Sequence, residues 1–505
     1  MVKRQGRTNK ISGFPKEEES SKAAPVTKKC ANFFLAFFPM VFWWTRSHPS
    51  FVNVRRELLQ RSRADNAVTA VKYNASNNRT ANDTAFANHT TVTTRRNDSA
   101  SAAASVAKQI SDLQHSLNSS SLRYYMYTDT NIDNVGYRNW IKEGNGWPRA
   151  KTHWGRDIRN EIQILDVLRQ HRDYQVDDLL QADLYMIPFS IGATLATSGD
   201  PDQCFGRYLG ALYNTSTFQS TMGHRHILLS LLVPYHKYSD RHKFSFQPHY
   251  SKLWNVTVAN DLSWAGCQHM INSGKAKGND FESSYESEGH PFARHGFSMG
   301  LTNDDPMLLP ATRAKFDACK YLIFYRTRES PSFFNSTLYR HAPIVHKDAI
   351  LAATTRSLQQ SSSIGFDLPK AEWMEHFVSS KFCLVIRGDT VHTHSLLRAV
   401  KAGCIPVIVA NDYPYYAPTF ASSIQMKDYA IFLDEAAFLK DTVGELSKLQ
   451  ALAEEEINNK LLWLAYAQQI FFPDHPESLF VPAFLQEAHR ASRRDLGGPE
   501  FPGYP

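Results

Sequence analysis

Residues 381–412 read KFCLVIRGDTVHTHSLLRAVKAGCIPVIVAND, from Lys381 to Asp412. Two short apolar runs, FCLVI at 382–386 and IPVIV at 405–409, bracket a segment with helical spacing. Leu396, Leu397, Ala399 and Val400 fit one apolar face, and Gly403 stands where a helix would stop. Strand, helix, strand is a parallel crossover unit, so this stretch sets an α/β class. The loop Arg387-Gly388-Asp389-Thr390 falls between the first strand and the helix start. Open α/β sheets bind their ligands at that position.

A helix N-terminus presents free N–H groups and about half a positive charge, which suits a diphosphate. Thr390, His392 and Thr393 add donors at the same end, and Gly388 lets backbone approach a ligand closely. A plainer reading also fits the loop alone: Asp389 or Thr390 caps the helix and does nothing more.

Other segments continue the alternation. Tyr124–Tyr127, Leu184–Phe189 and Ile227–Val233 read as strands, and Asp157–Arg169 reads as a helix with Ile158, Ile162 and Leu165 on one face. Residues 236–310 are rich in His, Gly, Ser and Asn and yield no assignment; their length suggests an active-site loop region. Tyr321–Tyr325 opens a second set. It continues through a partly helical Leu338–Leu358, a helix at Ala371–Ser379, the quoted unit, a short strand at Ala430–Leu433 and a long helix at Leu446–Gln469. Two successive sets predict two Rossmann-like halves, and no internal repeat is visible.

The quoted stretch closely resembles the signature of the exostosin family of glycosyltransferases. That pattern runs S-K-F-C-L-x-P-x-G-D, then a helix start with Ser/Thr and Arg, then G-C-I-P-V-I. Ser380–Asp389 and Gly403–Ile408 match it at the right spacing. Weaker similarities lie at Tyr124–Tyr127, at Asp178–Ser190 (DLLQADLYMIPFS), at Gly223–His226 and at Tyr321–Thr327, so the resemblance covers roughly residues 123–440. It implies a GT-B architecture, two Rossmann-like domains facing a cleft. It also implies inverting transfer of a hexosyl or pentosyl group from a nucleotide-sugar, a UDP-sugar in the first instance, to a glycan or glycoprotein.

Such a reaction needs a base for the acceptor proton and positive or N–H groups for the leaving diphosphate. The expected donor-side residues are Arg387, Gly388, Asp389, Thr390, His392, Thr393, His394 and Arg398. The base is expected from the N-terminal half, with Glu161 first, then Asp157, and with His153 and Glu282 as further candidates. The competing reading of Glu161 is a solvated residue on an amphipathic helix. No cofactor or metal is required. His392 and His394 point apart on a helix, and Asp200-Pro201-Asp202 reads as a turn.

The chain departs from the family pattern at three places. Ile386 replaces the usual Pro, His394 stands where Arg is usual, and Arg398 where an acid is usual. An acid would accept from a ribose, whereas Arg only donates. The departures raise an alternative, a catalytically inactive exostosin-like partner or scaffold subunit of a glycosyltransferase complex. Homo- or hetero-oligomers with another glycosyltransferase fit either reading. A polysaccharide-binding protein whose aromatics stack on sugar rings is a third.

A chain of 505 residues with 42% apolar and 21% charged residues is ordinary for a globular protein of two or three domains. Its net charge of +7 is concentrated in the first 123 residues, which hold 19 Lys+Arg against 8 Asp+Glu. The remainder is mildly acidic, which argues against a nucleic-acid partner. The expected domains are a basic cytosolic tail at 1–29, a signal anchor at Cys30–Trp44 and a glycosylated, disordered stem at 45–121. An acceptor-side half at 122–310, a nucleotide-sugar half at 311–480 and a tail at 481–505 follow. The apolar run is short for a span, so a cleaved signal peptide and a buried helix compete with the anchor.

Asn-x-Ser/Thr occurs at Asn74, Asn78, Asn82, Asn88, Asn97, Asn118, Asn214, Asn255 and Asn335. Six of them crowd into residues 74–120, which favours the secretory lumen over chance. The resulting expectation is a single-pass type II Golgi membrane protein with its catalytic region in the lumen. Of the six cysteines, Cys383 and Cys404 fall on neighbouring strands, either bridged or simply buried.

Overall fold

The computed structural model describes residues 90–143, 153–197, 201–231, 252–253, 255–260, 297–299, 307–325, 362–364, 370–386, 393–411 and 413–493. All of them belong to one compact unit, His89–Pro505. Cys30–Trp44, Leu338–Leu358, Glu282 and the loop Arg387–His392 lie outside the described residues. Among the described residues no helix is long and apolar enough to cross a membrane.

The chain enters through α1 (Thr90–Asn118). The first half then runs β1 (Tyr124–Met126), α2 (Val135–Lys142), α3 (His153–Gln170), β2 (Leu184–Ile187) and α4 (Ile191–Thr197). It continues with α5 (Pro201–Tyr213), α6 (Ser216–Thr221), β3 (His226–Leu229), β4 (Thr257–Asn260) and β5 (Phe297–Ser298). The second half runs α7 (Arg313–Asp317), β6 (Tyr321–Tyr325), β7 (Ser362–Ile364), α8 (Lys370–Val378), β8 (Ser380–Ile386), α9 (Ser395–Lys401) and β9 (Ile405–Val409). It closes with α10 (Met426–Tyr429), β10 (Ile431–Phe432), α11 (Glu454–Phe471) and α12 (Phe480–Ser492).

Two five-stranded sheets result, ordered β1-β2-β3-β4-β5 and β10-β9-β8-β6-β7. Every pairing among the described residues is parallel, with Tyr185 opposite His226 in the first sheet and Phe382 opposite Ile405 in the second. Parallel strands are covered on both faces and so read as unbroken apolar runs. LYMI of β2 and IPVIV of β9 are buried at every position. Pro406 lies ahead of the β10 pairing, which begins at Val407.

Alternate residues of the first sheet face two cores. Tyr124, Met126, Leu184, Met186, Ile227 and Leu229 join a core that continues into the second half, through Ile323, Phe382 and Ile405. Tyr185, Ile187, Leu228 and Val258 pack with Phe205, Leu209 and Phe218 of α5 and α6. The halves are also tied by polar and aromatic contacts. Phe420 N–H donates to Ser298 C=O at 3.1 Å, and the Phe297 and Phe484 rings meet edge to face at 5.5 Å.

Three expectations are corrected. Residues 90–118 are helix rather than disordered stem. Their Ser, Thr and Ala content hid an apolar stripe, Val106, Ile110, Leu113 and Leu117, that packs on the shared core. Residues 481–492 belong to the buried helix α12, not to a tail. Pro482 sits in its first turn, where no N–H is needed. The long helix begins at Glu454 rather than Leu446, because Leu452 and Ala453 are extended at its entrance.

Candidate functional site

The second sheet contains a reversal. The chain passes from β6 to β7 on one side, then returns to lay β8 on the other side of β6. Such a switch point leaves a crevice at the C-terminal ends of the flanking strands. β8 ends there at Ile386, and the described chain resumes at Thr393, two residues before α9. The sequence-predicted donor loop is therefore bounded on both sides by this edge.

Thr393 is locked in place. Its N–H donates to Tyr413 Oη at 3.3 Å, and Tyr413 O–H donates back to its carbonyl at 3.2 Å. The Thr393 hydroxyl also accepts from Ser395 N–H at 3.3 Å, so it caps the turn into α9. His394 and Arg398 are one helical turn apart, joined by the Arg398 N–H to His394 C=O bond at 3.2 Å. Both are half-buried on one helix face, while Leu396, Leu397, Ala399 and Val400 fill the other. The structure thus places His394 and Arg398 one turn apart along α9, with Thr393 just ahead of its first residue.

The far end of α9 is equally fixed. Gly403 has φ +62°, and a Cβ there would stand 2.9 Å from the carbonyls of Leu309 and Pro310. Only glycine meets both demands. Buried Gln468 of α11 donates to Leu309 C=O and Val400 C=O, each at 2.7 Å, and accepts from Ala311 N–H at 3.2 Å. One side chain thereby joins the link between the halves to the C-terminal end of α9. Cys383 and Cys404 form a disulfide with Cα atoms 5.9 Å apart, within the usual span for such a bond. It spans a sequence separation of 21 that contains residues 387–392 and α9. By loop closure it contributes about 3 kcal/mol.

Sequence reading missed a second group on this edge. Asn411, just past β9, takes Glu435 Oε1 on its N–H at 2.8 Å and donates its carboxamide to Asp434 at 2.8 Å. Asp434 is held below the usual carboxylate range, first by the Ala437 N–H and then by Asn411. The available signal was the Asp-Glu pair at a helix start directly after a short strand.

In the first half, polar groups collect at the C-terminal ends of β2 and β3. Glu161 is 0% exposed, so it is not a solvated face residue. It accepts from Ser190 O–H at 2.5 Å, past β2, and from Leu231 N–H at 3.1 Å, past β3. Its position three after Ile158 and four before Leu165 placed it on the apolar stripe, the signal for its burial. Beside it, Asn134 exchanges bonds with the backbone of Ser190 at 2.8 and 3.0 Å and donates to Thr194 Oγ1 at 2.8 Å. Asp133 pairs with Arg138 at 2.7 Å and with Arg169 at 2.5 Å. Burial lowers the Arg138 pKa, and Asp133 opposes that shift. Asp157 and His153 lie on α3 upstream of Glu161. Pro201 and Asp202 begin helix α5 rather than a turn. Among the described residues no cluster of His, Cys, Asp or Glu could hold a metal ion.

The sequence profile of the Exostosin GT47 domain matches residues 118–447. The chain belongs to the exostosin glycosyltransferase family. A 90-residue stretch is 34% identical to Exostosin-1 of Drosophila melanogaster, covering 17% of this chain and 11% of that protein. The match thus spans about a tenth of that relative. Among solved structures, the calicheamicin glycosyltransferase CalG4 aligns with 73% of this chain and 98% of its own at 11% identity, with a TM-score of 0.25.

Proposed function

We propose that this exostosin-family chain transfers a sugar, with inversion, from a nucleoside-diphosphate sugar to a hydroxyl of a glycan or glycoprotein. UDP is the first nucleotide to consider. The observation that carries the reading is that β8 ends at Ile386 beside the switch point of the second sheet, and the signature residues Arg387–His392 follow it in the sequence. Arg387 and the Gly388–Thr390 backbone hold the diphosphate, with His392 and Thr393 beside them. His394 and Arg398, on one face of α9, add positive or donor groups for the departing charge. These cations and N–H groups do the work a metal would otherwise do, so the proposed site takes none.

On the acceptor side, Glu161 is a positioning residue. Both of its oxygens hold backbone or hydroxyl groups of the segments after β2 and β3. Asp157, one turn earlier on α3, is the proposed base. The two sheet edges form a GT-B cleft in this account. Its support is that Ser298 ends β5 while Phe420 follows the C-terminal end of β9, and the two are bonded.

The compartment proposed is the Golgi lumen, behind a single-pass type II anchor at Cys30–Trp44. The Cys383–Cys404 disulfide supports an oxidising compartment. The test is release and transfer of sugar from UDP-glucuronate, UDP-xylose and UDP-galactose by the purified full chain. Turnover of one donor, lost in Asp157→Asn, is expected. A folded sample that turns over none of them, and no GDP-sugar either, would instead favour a non-catalytic partner subunit.

A further inference from the structure

In a wholly parallel sheet, the residues that lead into the strands share one edge, and the residues that follow them share the opposite edge. Three of the Asn-x-Ser/Thr asparagines lead into strands of the first sheet. Asn118 ends α1 ahead of β1, Asn214 lies between α5 and α6 ahead of β3, and Asn255 lies just before β4. Side-chain contacts confirm the grouping of the last two. The Tyr213 ring meets Phe218 at 5.3 Å and lies under Lys252 Nζ at 4.9 Å, and Phe218 meets His226, the first residue of β3, at 4.9 Å. Asn255 donates to Met222 C=O at 3.0 Å.

The three asparagines differ in what they offer. Asn118 and Asn214 are exposed. Asn214 follows the last turn of α5, and its neighbour Thr215 does the structural work there, accepting from Phe218 N–H at 3.2 Å as the cap of α6. Asn255 is half-buried with its carboxamide already engaged, and the Val256 and Thr257 that complete its triplet are fully buried. A bulky, hydrated glycan fits the first two positions and not the third.

We infer that Asn118 and Asn214 carry N-linked glycans while Asn255 stays bare. The strand-entry edge of the first sheet is then a glycan-bearing back, and the opposite edge, with Glu161 and Ser190, is left clear for a polymeric acceptor. The inference rests on the lumenal compartment proposed above. It asks for nothing from catalysis.

The experiment is glycopeptide mass spectrometry on the full chain made in a eukaryotic secretory host, with glycan sites marked by enzymatic deamidation in heavy-oxygen water. Glycans at Asn118 and Asn214, with unmodified Asn255, are expected. Ser216→Ala removes the Asn214 triplet and leaves the Thr215 cap, so it should remove one glycan and leave the melting temperature unchanged. Modified Asn74, Asn78, Asn82 or Asn88 with bare Asn118 and Asn214 would overturn the inference and leave the compartment standing. A glycan at Asn255 would overturn the selection rule. A chain with no glycan at any of its asparagines would overturn both the inference and the compartment.

Discussion

Phe420 and Ser298 join the halves of this protein through one backbone hydrogen bond of 3.1 Å. Phe420 reaches it in a left-handed conformation, φ +48°, which costs an L-residue free energy. Its ring offsets that cost. It is 0% exposed, stacked on Phe471 of α11 at 5.9 Å and edge-on to Phe480 of α12 at 5.7 Å. The bond therefore sits inside the shared core rather than across a loose hinge.

Truncating that ring should weaken both halves together. Phe420→Ala is expected to cost about 3–5 kcal/mol, as for other buried aromatic truncations. Urea unfolding followed by tryptophan fluorescence would show a single transition at a lower midpoint. Two separated transitions in the unmodified protein would mean that the halves fold independently.

Gly403→Ala tests the anchoring of α9. A Cβ at φ +62° meets two carbonyl oxygens of the 309–310 backbone, neither of which is a flexible side chain. A loss of more than about 1 kcal/mol is expected, the usual result where an L-residue is forced to positive φ. The control is Gly206→Ala on α5, where nothing lies within 4 Å of the added Cβ. That substitution should be neutral or slightly stabilising by calorimetry.

Glu161 separates positioning from proton transfer. Glu161→Gln keeps an acceptor for Leu231 N–H and a partner for Ser190, so it should fold normally and retain turnover within several-fold. Glu161→Ala leaves those buried groups unsatisfied, at about 1–3 kcal/mol each. Asp157→Asn should lose turnover while keeping its melting temperature. A Glu161→Gln variant that is stable yet inert would move the base to Glu161.

His226 makes the fold sensitive to acid. It is fully buried, with Tyr127 Oη 2.8 Å from Nε2 and His224 C=O 3.2 Å from Nδ1, and burial first of all pushes its pKa down to about 4. The unfolded chain takes up the proton near pH 6.5, and the folded chain does so only near 4. Stability is thus full above pH 6.5 and falls progressively as the pH drops toward 4, by about 3 kcal/mol in total. Denaturant titrations across that window should show the slope, and His226→Gln should flatten it.

What the sequence disclosed and what it hid follow one physical division. The β8–α9–β9 unit was legible because apolar runs, helix spacing and Gly403 are all local signals. β4 and β5 were not, because they lie inside the His-, Gly-, Ser- and Asn-rich stretch 236–310, where no long apolar run marks a strand, and are recognised only by their partners. α1 and α12 were hidden by composition, Ser, Thr and Ala in one and Pro482 in the other, although their buried faces are set by tertiary packing. For the site, the edge after β8 that is proposed to hold the donor was marked in the sequence by the motif. The Asn411–Glu435 lock and the Glu161–Ser190 bond were not, since each joins residues 24 or more positions apart.

A nucleotide held at the end of β8 is the central claim, and the most direct measurement is binding of UDP and GDP to the folded full chain by calorimetry and thermal shift. One nucleotide should raise the melting temperature, by the equivalent of about 2.7 kcal/mol at a hundred times its Kd. Arg387→Ala should fold normally and lose that shift. Absence of binding by either nucleotide, or binding that Arg387→Ala leaves untouched, would contradict the assignment of the donor site.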